Sequence, residues 1–219
     1  DAGAILGLNP YCSALQVWAT KRGLLPDKDD TEMMRLGRDL EYYVAERFEE
    51  EMANRNEPKK VKNCNFILRH PKYPWMLANV DRLIIGEQAG LECKIASAFN
   101  KTDFEGNNVP EQYYCQCQHY MAVTGATHWY LCILQLGKEP FIFRIERNEN
   151  EIAALIELEK KFWEENVVKG IEPAVDGTEG ARKVLTTLYP EGREDVEIDL
   201  SPFHRSMREI CEWKSQIKE

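Results

Sequence analysis

NVDRLIIGEQAGLECKIA, residues Asn79 to Ala96, is the stretch on whose reading the fold turns. Apolar and polar residues alternate on both sides of a glycine-flanked break from Gly86 to Gly90, which predicts two β-strands joined by a short turn. If the hairpin closes near Glu87, antiparallel pairing brings Asp81 opposite Glu92 or Cys93. Side chains two apart on a strand share a face, so Glu92 and Lys94 project together while Leu91, Cys93 and Ile95 turn to an apolar side. Two carboxylates then meet with an ammonium beside them. Carboxylates that close repel unless one is protonated or a cation sits between them, so the pattern invites Mg²⁺ or Mn²⁺. A lysine there could orient or help deprotonate an attacking water. An ordinary solvated strand face with an ion pair fits the same residues, because an aspartate, ten residues and then Glu-x-Lys also recur by accident.

Working outward, the chain has 219 residues, 43% of them apolar, enough for one good-sized domain with a full core and an appendage. It contains no run of 18 apolar residues and nothing like a signal peptide, so neither a membrane span nor export is expected. The chain opens at Asp1 without a methionine, so an upstream segment that could have carried a signal is left open. The seven cysteines are odd in number and lack zinc spacing, which points to reduced thiols and against structural zinc or an iron–sulfur cluster. A net charge of -9 argues against a protein coated in basic residues for indiscriminate nucleic-acid binding, but leaves room for a local basic channel.

Ser13 is a plausible cap and Gly23 a plausible stop for a first helix. From Thr31 to about Asn54 a long amphipathic helix is predicted, with Met34, Gly37, Glu41, Ala45, Phe48 and Met52 as its inward stripe. Glu41 is a carboxylate on that stripe, either at its edge or held for a purpose, since an unpaired buried charge is expensive. Residues 55–63 read as a basic connector whose Lys59, Lys60 and Lys62 could touch a phosphate backbone, followed by a strand from Cys64 to Arg69. After a polar loop, Pro110 at the first helical position opens a helix from Glu111 to Thr124. It carries Gln116 and Tyr120 on one face, and Gly125 ends it. Strands Thr127–Leu136 and Phe141–Arg147 follow, then a helix from Asn148 to Val168 with Ile152, Leu155, Ile156, Phe162 and Trp163 inward. Beyond Gly170 the composition turns to Pro, Gly and acids, with a short helix near Arg182–Leu188 and a last one from Ser201. This divides the chain into a domain of residues 1–170 and a C-terminal helical appendage of residues 171–219.

Helix-borne Glu41, strand Asp81, Glu92-x-Lys94 and helical Gln116-x-x-x-Tyr120, framed as helix, strands, helix, strands, helix, resemble the PD-(D/E)xK nuclease superfamily. Within it the chain resembles the phage lambda-type exonucleases, or YqaJ-like viral recombinases. ILGLNPYCSALQVWATKRG looks like that family's N-terminal signature and GRDLE like the segment around its helical glutamate. The likeness covers about residues 1–170 and implies an α/β (α+β) restriction-endonuclease-like core, a central mixed sheet flanked by helices. Val80 stands where the superfamily name has proline. Family members also carry an arginine and a serine, implicated in gripping a 5′-terminal phosphate, upstream of the position matching Asp1.

By this resemblance the reaction is Mg²⁺-dependent (or Mn²⁺-dependent) hydrolysis of DNA, with processive removal of 5′ nucleotides from duplex ends in phage-type recombination. Asp81, Glu92 and the Cys93 backbone carbonyl would ligate the metal, with Glu41 joining directly or through water. Lys94 would position the attacking water and stabilise developing charge, and Gln116 and Tyr120 would orient Lys94, the water or the DNA backbone. Packing of Tyr120 in the core beside a surface Gln116 is the plainer alternative. The resemblance further implies a homotrimeric ring, a single-strand annealing protein as partner, no membrane, and a cytoplasmic setting in a bacterium or encoded by a phage or prophage. The rival readings are a repair or CRISPR-associated nuclease of the superfamily with different polarity, and a catalytically silent DNA-binding or assembly protein.

Overall fold

A computed structural model describes residues 1–26, 30–98, 104, 108–190, 199 and 201–216. Contacts group Asp1–Leu188 as one compact unit and Tyr189–Glu219 as another. The first unit is built on a five-stranded mixed sheet. Its strands are β1 (Val61–Asn63), β4 (Arg82–Ile84), β5 (Ala89–Ala96), β6 (His128–Gln135) and β7 (Phe141–Glu146), in that spatial order. Only the central β5–β6 pair is parallel, and the crossover that a parallel pair requires carries helix α4 (Glu111–Thr124). Between β1 and β4 the chain makes a small separate hairpin, β2 (Leu68–Arg69) with β3 (Leu77–Ala78).

The hairpin expected at the head of the chain's logic is present. Arg82 pairs with Leu91 and Leu83 with Gly90, so one step further Asp81 stands across from Glu92. The strand expected over Cys64–Arg69 is not: its last two residues form β2, and the sheet is entered earlier, at Val61–Asn63, inside the segment predicted as a connector. That connector is tied down. Glu49 accepts from the Val61 amide at 2.8 Å and pairs with Lys60 at 2.5 Å, while Lys59 pairs with Glu87 at 2.6 Å.

Two helical layers cover the sheet. Helix α3 (Glu32–Asn54), capped by the Thr31 hydroxyl, lays Val44, Ala45, Phe48 and Met52 on Leu91, Tyr130, Cys132 and Leu134. Its predicted stripe faces the core only over this second half. A helix of that length spans roughly 35 Å and overhangs the sheet, so Met34 is exposed and Gly37 meets nothing within 4 Å. On the other face, Met121 and Cys117 of α4 pack against Trp129, Leu131 and Ile133. Strand β6 is thus buried on both sides, as its aromatic and β-branched sequence requires. Pro110 turns out to be the cap of α4 rather than its first helical residue, and Gly125 ends the helix at φ 73°.

Helix α1 (Ala2–Ile5) packs on α4, and α2 (Ala14–Lys21), capped by Ser13, is followed in sequence by α3. Helix α5 (Glu149–Lys161), capped by Asn148, continues as one π-helical stretch, Phe162–Val168. Helix α6 (Glu179–Leu188) buries Ala181 and Val184 against Leu15 and Trp18 of α2, so the first unit extends past the composition change at residue 170. The second unit carries α7 (His204–Gln216). Among the described residues, no helix is long and apolar enough to cross a membrane.

One glycine makes the sheet possible. A Cβ on Gly90 would lie 2.1 Å from the ring of Trp129, its fully buried neighbour on β6. Gly90→Ala is expected to cost about 3 kcal/mol or more, at the upper end of overpacking effects, because neither the ring nor β5 has room to retreat. Urea unfolding of the variant checks this; a loss within 0.5 kcal/mol, roughly the size of ordinary surface substitutions, would refute it.

Candidate active site

Strand β5 supplies the centre of the site. Its alternation sends Leu91, Cys93 and Ile95 toward α3 and leaves Glu92 and Lys94 on the α4 side. That face is no solvated surface, for Glu92 is 2% exposed. Its Oε1 accepts from the Lys94 ammonium and from Gln116 Nε2 at 2.9 Å. Gln116 also donates to the Tyr120 hydroxyl at 2.6 Å, and Tyr120 in turn donates to the Asn79 carbonyl at 3.0 Å. Glu92, Lys94, Gln116 and Tyr120 therefore form one connected network, and Tyr120 also packs in the core at 5.4 Å from Trp129.

Asp81 joins this network from the neighbouring strand. Its Oδ2 accepts from the Cys93 amide at 2.8 Å, which locks the carboxyl against the Glu92–Cys93 peptide. Burial, and then the charge of Glu92, pushes the Asp81 carboxyl up from its ordinary value to about 7. Lys94 moves the other way from what burial alone would do. Desolvation disfavours the ammonium, but the charge and hydrogen bond of Glu92, with Asp81 behind it, outweigh this and hold the pKa above its usual range. Its Nζ also lies 5.2 Å from the Tyr113 ring centre. Burial, then Glu92, keeps Tyr120 a neutral phenol.

Glu41 is engaged elsewhere. Its carboxylate is ion-paired with Arg82, a side chain only 9% exposed, whose guanidinium also donates to the Asp81 carbonyl at 2.7 Å. Among the described residues no three His, Cys, Asp or Glu side chains stand together as a ready metal group. A cation nonetheless fits the pair of Asp81 and Glu92. Glu92 Oε2 is buried with no hydrogen-bond partner, an expensive condition for a carboxylate oxygen. Three carboxylates, those of Glu41, Asp81 and Glu92, also face only two cations, Arg82 and Lys94. Burial first, and then this excess negative charge, favours the protonated form of Asp81.

One further pair escaped the sequence reading. His119 on α4 meets Glu159 on α5, Nδ1 to Oε1 at 2.8 Å, and its Nε2 meets the Leu77 carbonyl at 3.0 Å. Glu159 is 3% exposed on the stripe of Ile152, Leu155 and Phe162, so the reasoning that singles out Glu41 applies to it with more force. Both ring nitrogens face acceptors, and the pair ties α4 to α5 and to β3.

This fold and network define a protein of the restriction-endonuclease-like class. Its structural neighbours include an alkaline exonuclease, LHK-Exo, from Laribacter hongkongensis, which is 18% identical with a TM-score of 0.60 over 77% of this chain and 87% of that one. A phage-related exonuclease from Haemophilus somnus 129PT is 10% identical with a TM-score of 0.54, over 72% of this chain and 82% of that one. Residues 1–127 match the YqaJ-like viral recombinase domain. The uncharacterized protein YqaJ of Bacillus subtilis (strain 168) is 37% identical over 231 residues, covering all of this chain and 70% of that protein. The chain belongs to the YqaJ-like viral recombinase family.

The proton on Asp81 has a measurable consequence. A carboxyl whose folded pKa is raised contributes stability that is complete below its ordinary value of 3.8 and is lost as pH rises through about 7. In EDTA the wild type should therefore lose stability from pH 5 to pH 8 relative to Asp81→Asn, whose melting temperature should exceed the wild type's by several degrees at pH 8. A difference between the two proteins that does not change with pH would show that Asp81 is not the buried acid described.

Proposed function

We propose that this chain is a divalent-metal-dependent DNA exonuclease, with Asp81, Glu92 and the Cys93 carbonyl as the metal-holding set and Mg²⁺ or Mn²⁺ as the ion. The observation that carries this reading is the buried, unpartnered Glu92 Oε2 beside a carboxyl raised by burial and then by Glu92, with a charged lysine in contact. When bound, the cation would supply positive charge to the phosphoryl transition state and lower the pKa of an attacking water.

The chain's own groups have defined tasks in this proposal. Lys94 keeps its proton, so it acts as an electrostatic donor to the phosphate or the water rather than as a base. Gln116 holds Glu92 by one oxygen and so leaves the other to face a cation. Tyr120 fixes Gln116 from one side and the strand entering the site, at Asn79, from the other. Glu41 restrains Arg82, and Arg82 restrains the Asp81 peptide. Glu41 is held by Arg82 through Oε1, which leaves its second oxygen for a ligand role, direct or through water. The substrate is duplex DNA ends, with 5′-to-3′ processive digestion, a homotrimeric assembly and a single-strand annealing partner as the finer parts of the proposal. The family of viral recombinase domains and the exonucleases sharing the fold support it.

Linear duplex DNA labelled separately at each 5′ and 3′ terminus, carrying 5′-phosphate or 5′-hydroxyl, tests this directly. With Mg²⁺ the wild type should release 5′ nucleotides, faster from phosphorylated ends, and EDTA should abolish release. Lys94→Ala should lose about 10²- to 10³-fold in rate, the usual effect of removing a transition-state donor. A folded full-length protein that binds DNA but leaves every end intact with either metal would replace the exonuclease reading with that of a binding protein.

A further inference from the structure

Lys94, Gln116 and Tyr120 of the network line a cleft of about 800 Å³, a volume within the range of sites that enclose a small organic ligand. Away from Lys94 and Gln116 the lining changes character. Trp75, from the turn before β3, and Trp163, from the π-helical segment, form one wall, their ring centres 6.5 Å apart and their planes 15° from parallel. Tyr73 lies 6.0 Å from Trp75, and His70 lies 4.9 Å from Tyr73. The indole of Trp75 thus has aromatic neighbours that restrict its ring, and exposed Ile67 and Leu77 add apolar surface to the same cleft. Gln112 on α4 also lines the cleft, and its Oε1 is buried with no partner among the described residues, an acceptor in search of a donor.

These features describe the complement of a particular chemistry. The occupant has an anionic group at the Lys94 end, a flat apolar ring system along the tryptophan wall, and hydrogen-bond donors for a buried amide oxygen. We infer that the cleft is a nucleobase site, in which the unpaired base of the nucleotide being processed packs on Trp75, backed by Trp163, while its phosphate lies at Lys94. The inference rests on the nuclease reading for the phosphate but on its own observations for the base. Every base presents a π face, so such a platform is indifferent to sequence, and removing one aromatic platform weakens binding about ten- to a hundredfold.

The test compares 2′-deoxyadenosine 5′-monophosphate with 2-deoxyribose 5-phosphate, neither of which has a phosphodiester to cleave, by calorimetry and tryptophan fluorescence on the full chain with Mg²⁺. The wild type should prefer the nucleotide, with fluorescence quenched on binding. Trp75→Ala should lose about ten- to a hundredfold of nucleotide affinity and leave the sugar phosphate unaffected, while Trp75→Phe keeps most of the preference. Selectivity between base and no base is a readout that loss of fold would not produce, and the conservative variant guards against an unfolded alanine protein. Equal affinity for the two probes, equal loss of both in Trp75→Ala, or no binding of either overturns the base site. If wild type then still degrades linear duplex, the nuclease reading stands alone. If the nucleotide preference is found and no metal supports cleavage, the base site stands and the nuclease reading falls.

Discussion

A carboxylate removed from water dictates much of what surrounds it. Glu92 sits under α4 with almost no exposure, and a charge so placed is tolerated only where hydrogen bonds and countercharge replace its hydration. Lys94 must therefore curl back from the same strand face, Gln116 must arrive from α4, and Tyr120 must brace Gln116 one helical turn further on. Each requirement constrains a different element. Strand β5 must keep its register so that Glu92 and Lys94 share a face, and α4 must lie close enough to donate across the layer. The segment at Asn79 must end where the Tyr120 hydroxyl can reach it.

The sheet holds that register by ordinary packing. Central β6, buried on both faces, pairs along the whole of β5, and the large ring of Trp129 occupies the space that Gly90 leaves open. A side chain at position 90 would separate the strands two residues before Glu92. The site is thus placed on the most rigid part of the molecule, where rotamers are fixed by neighbours on both sides. Asp81 is positioned by the same construction, since the antiparallel β4–β5 register brings it across from Glu92 and the Cys93 amide then fixes its orientation.

The two-residue period of residues 79–96 carried most of this information. The pairing of Asp81 with Glu92 and the common face of Glu92 and Lys94 are consequences of strand geometry, and the 3.6-residue period placed Gln116 above Tyr120. Partners distant in sequence obey no such period. Nothing local states that Glu41 closes on Arg82, forty-one residues on, or that His119 finds Glu159. Strand β1 was missed and β2 drawn too long because pairing, not propensity, decides where a strand of two or three residues begins. Val61 enters the sheet because Glu49 on α3 holds its amide and Ile84 stands opposite it. The aromatic cleft was illegible for the same reason, since Trp75 and Trp163 lie 88 positions apart and meet only across tertiary structure.

The irregular end of α5 accounts for that meeting. An α-helix continued from Lys161 would repeat its inward face every three or four residues, yet the buried positions here are Phe162 and Val167, five apart, matching the π-helical turn between them. Both side chains pack with α2 and α6, and Trp163, next in sequence to Phe162, touches the same cluster and reaches Trp75. The carbonyls of the last helical turn have no partner within the helix, and side chains from α2 and its C-cap residue provide them. Trp18 donates its indole N–H to the Asn166 carbonyl at 3.0 Å, and Arg22 donates to the Val167 carbonyl at 3.2 Å. Helix α2 is therefore more than a cover. These two bonds hold the segment that carries Trp163, so residues 18 and 22 support a surface they do not line.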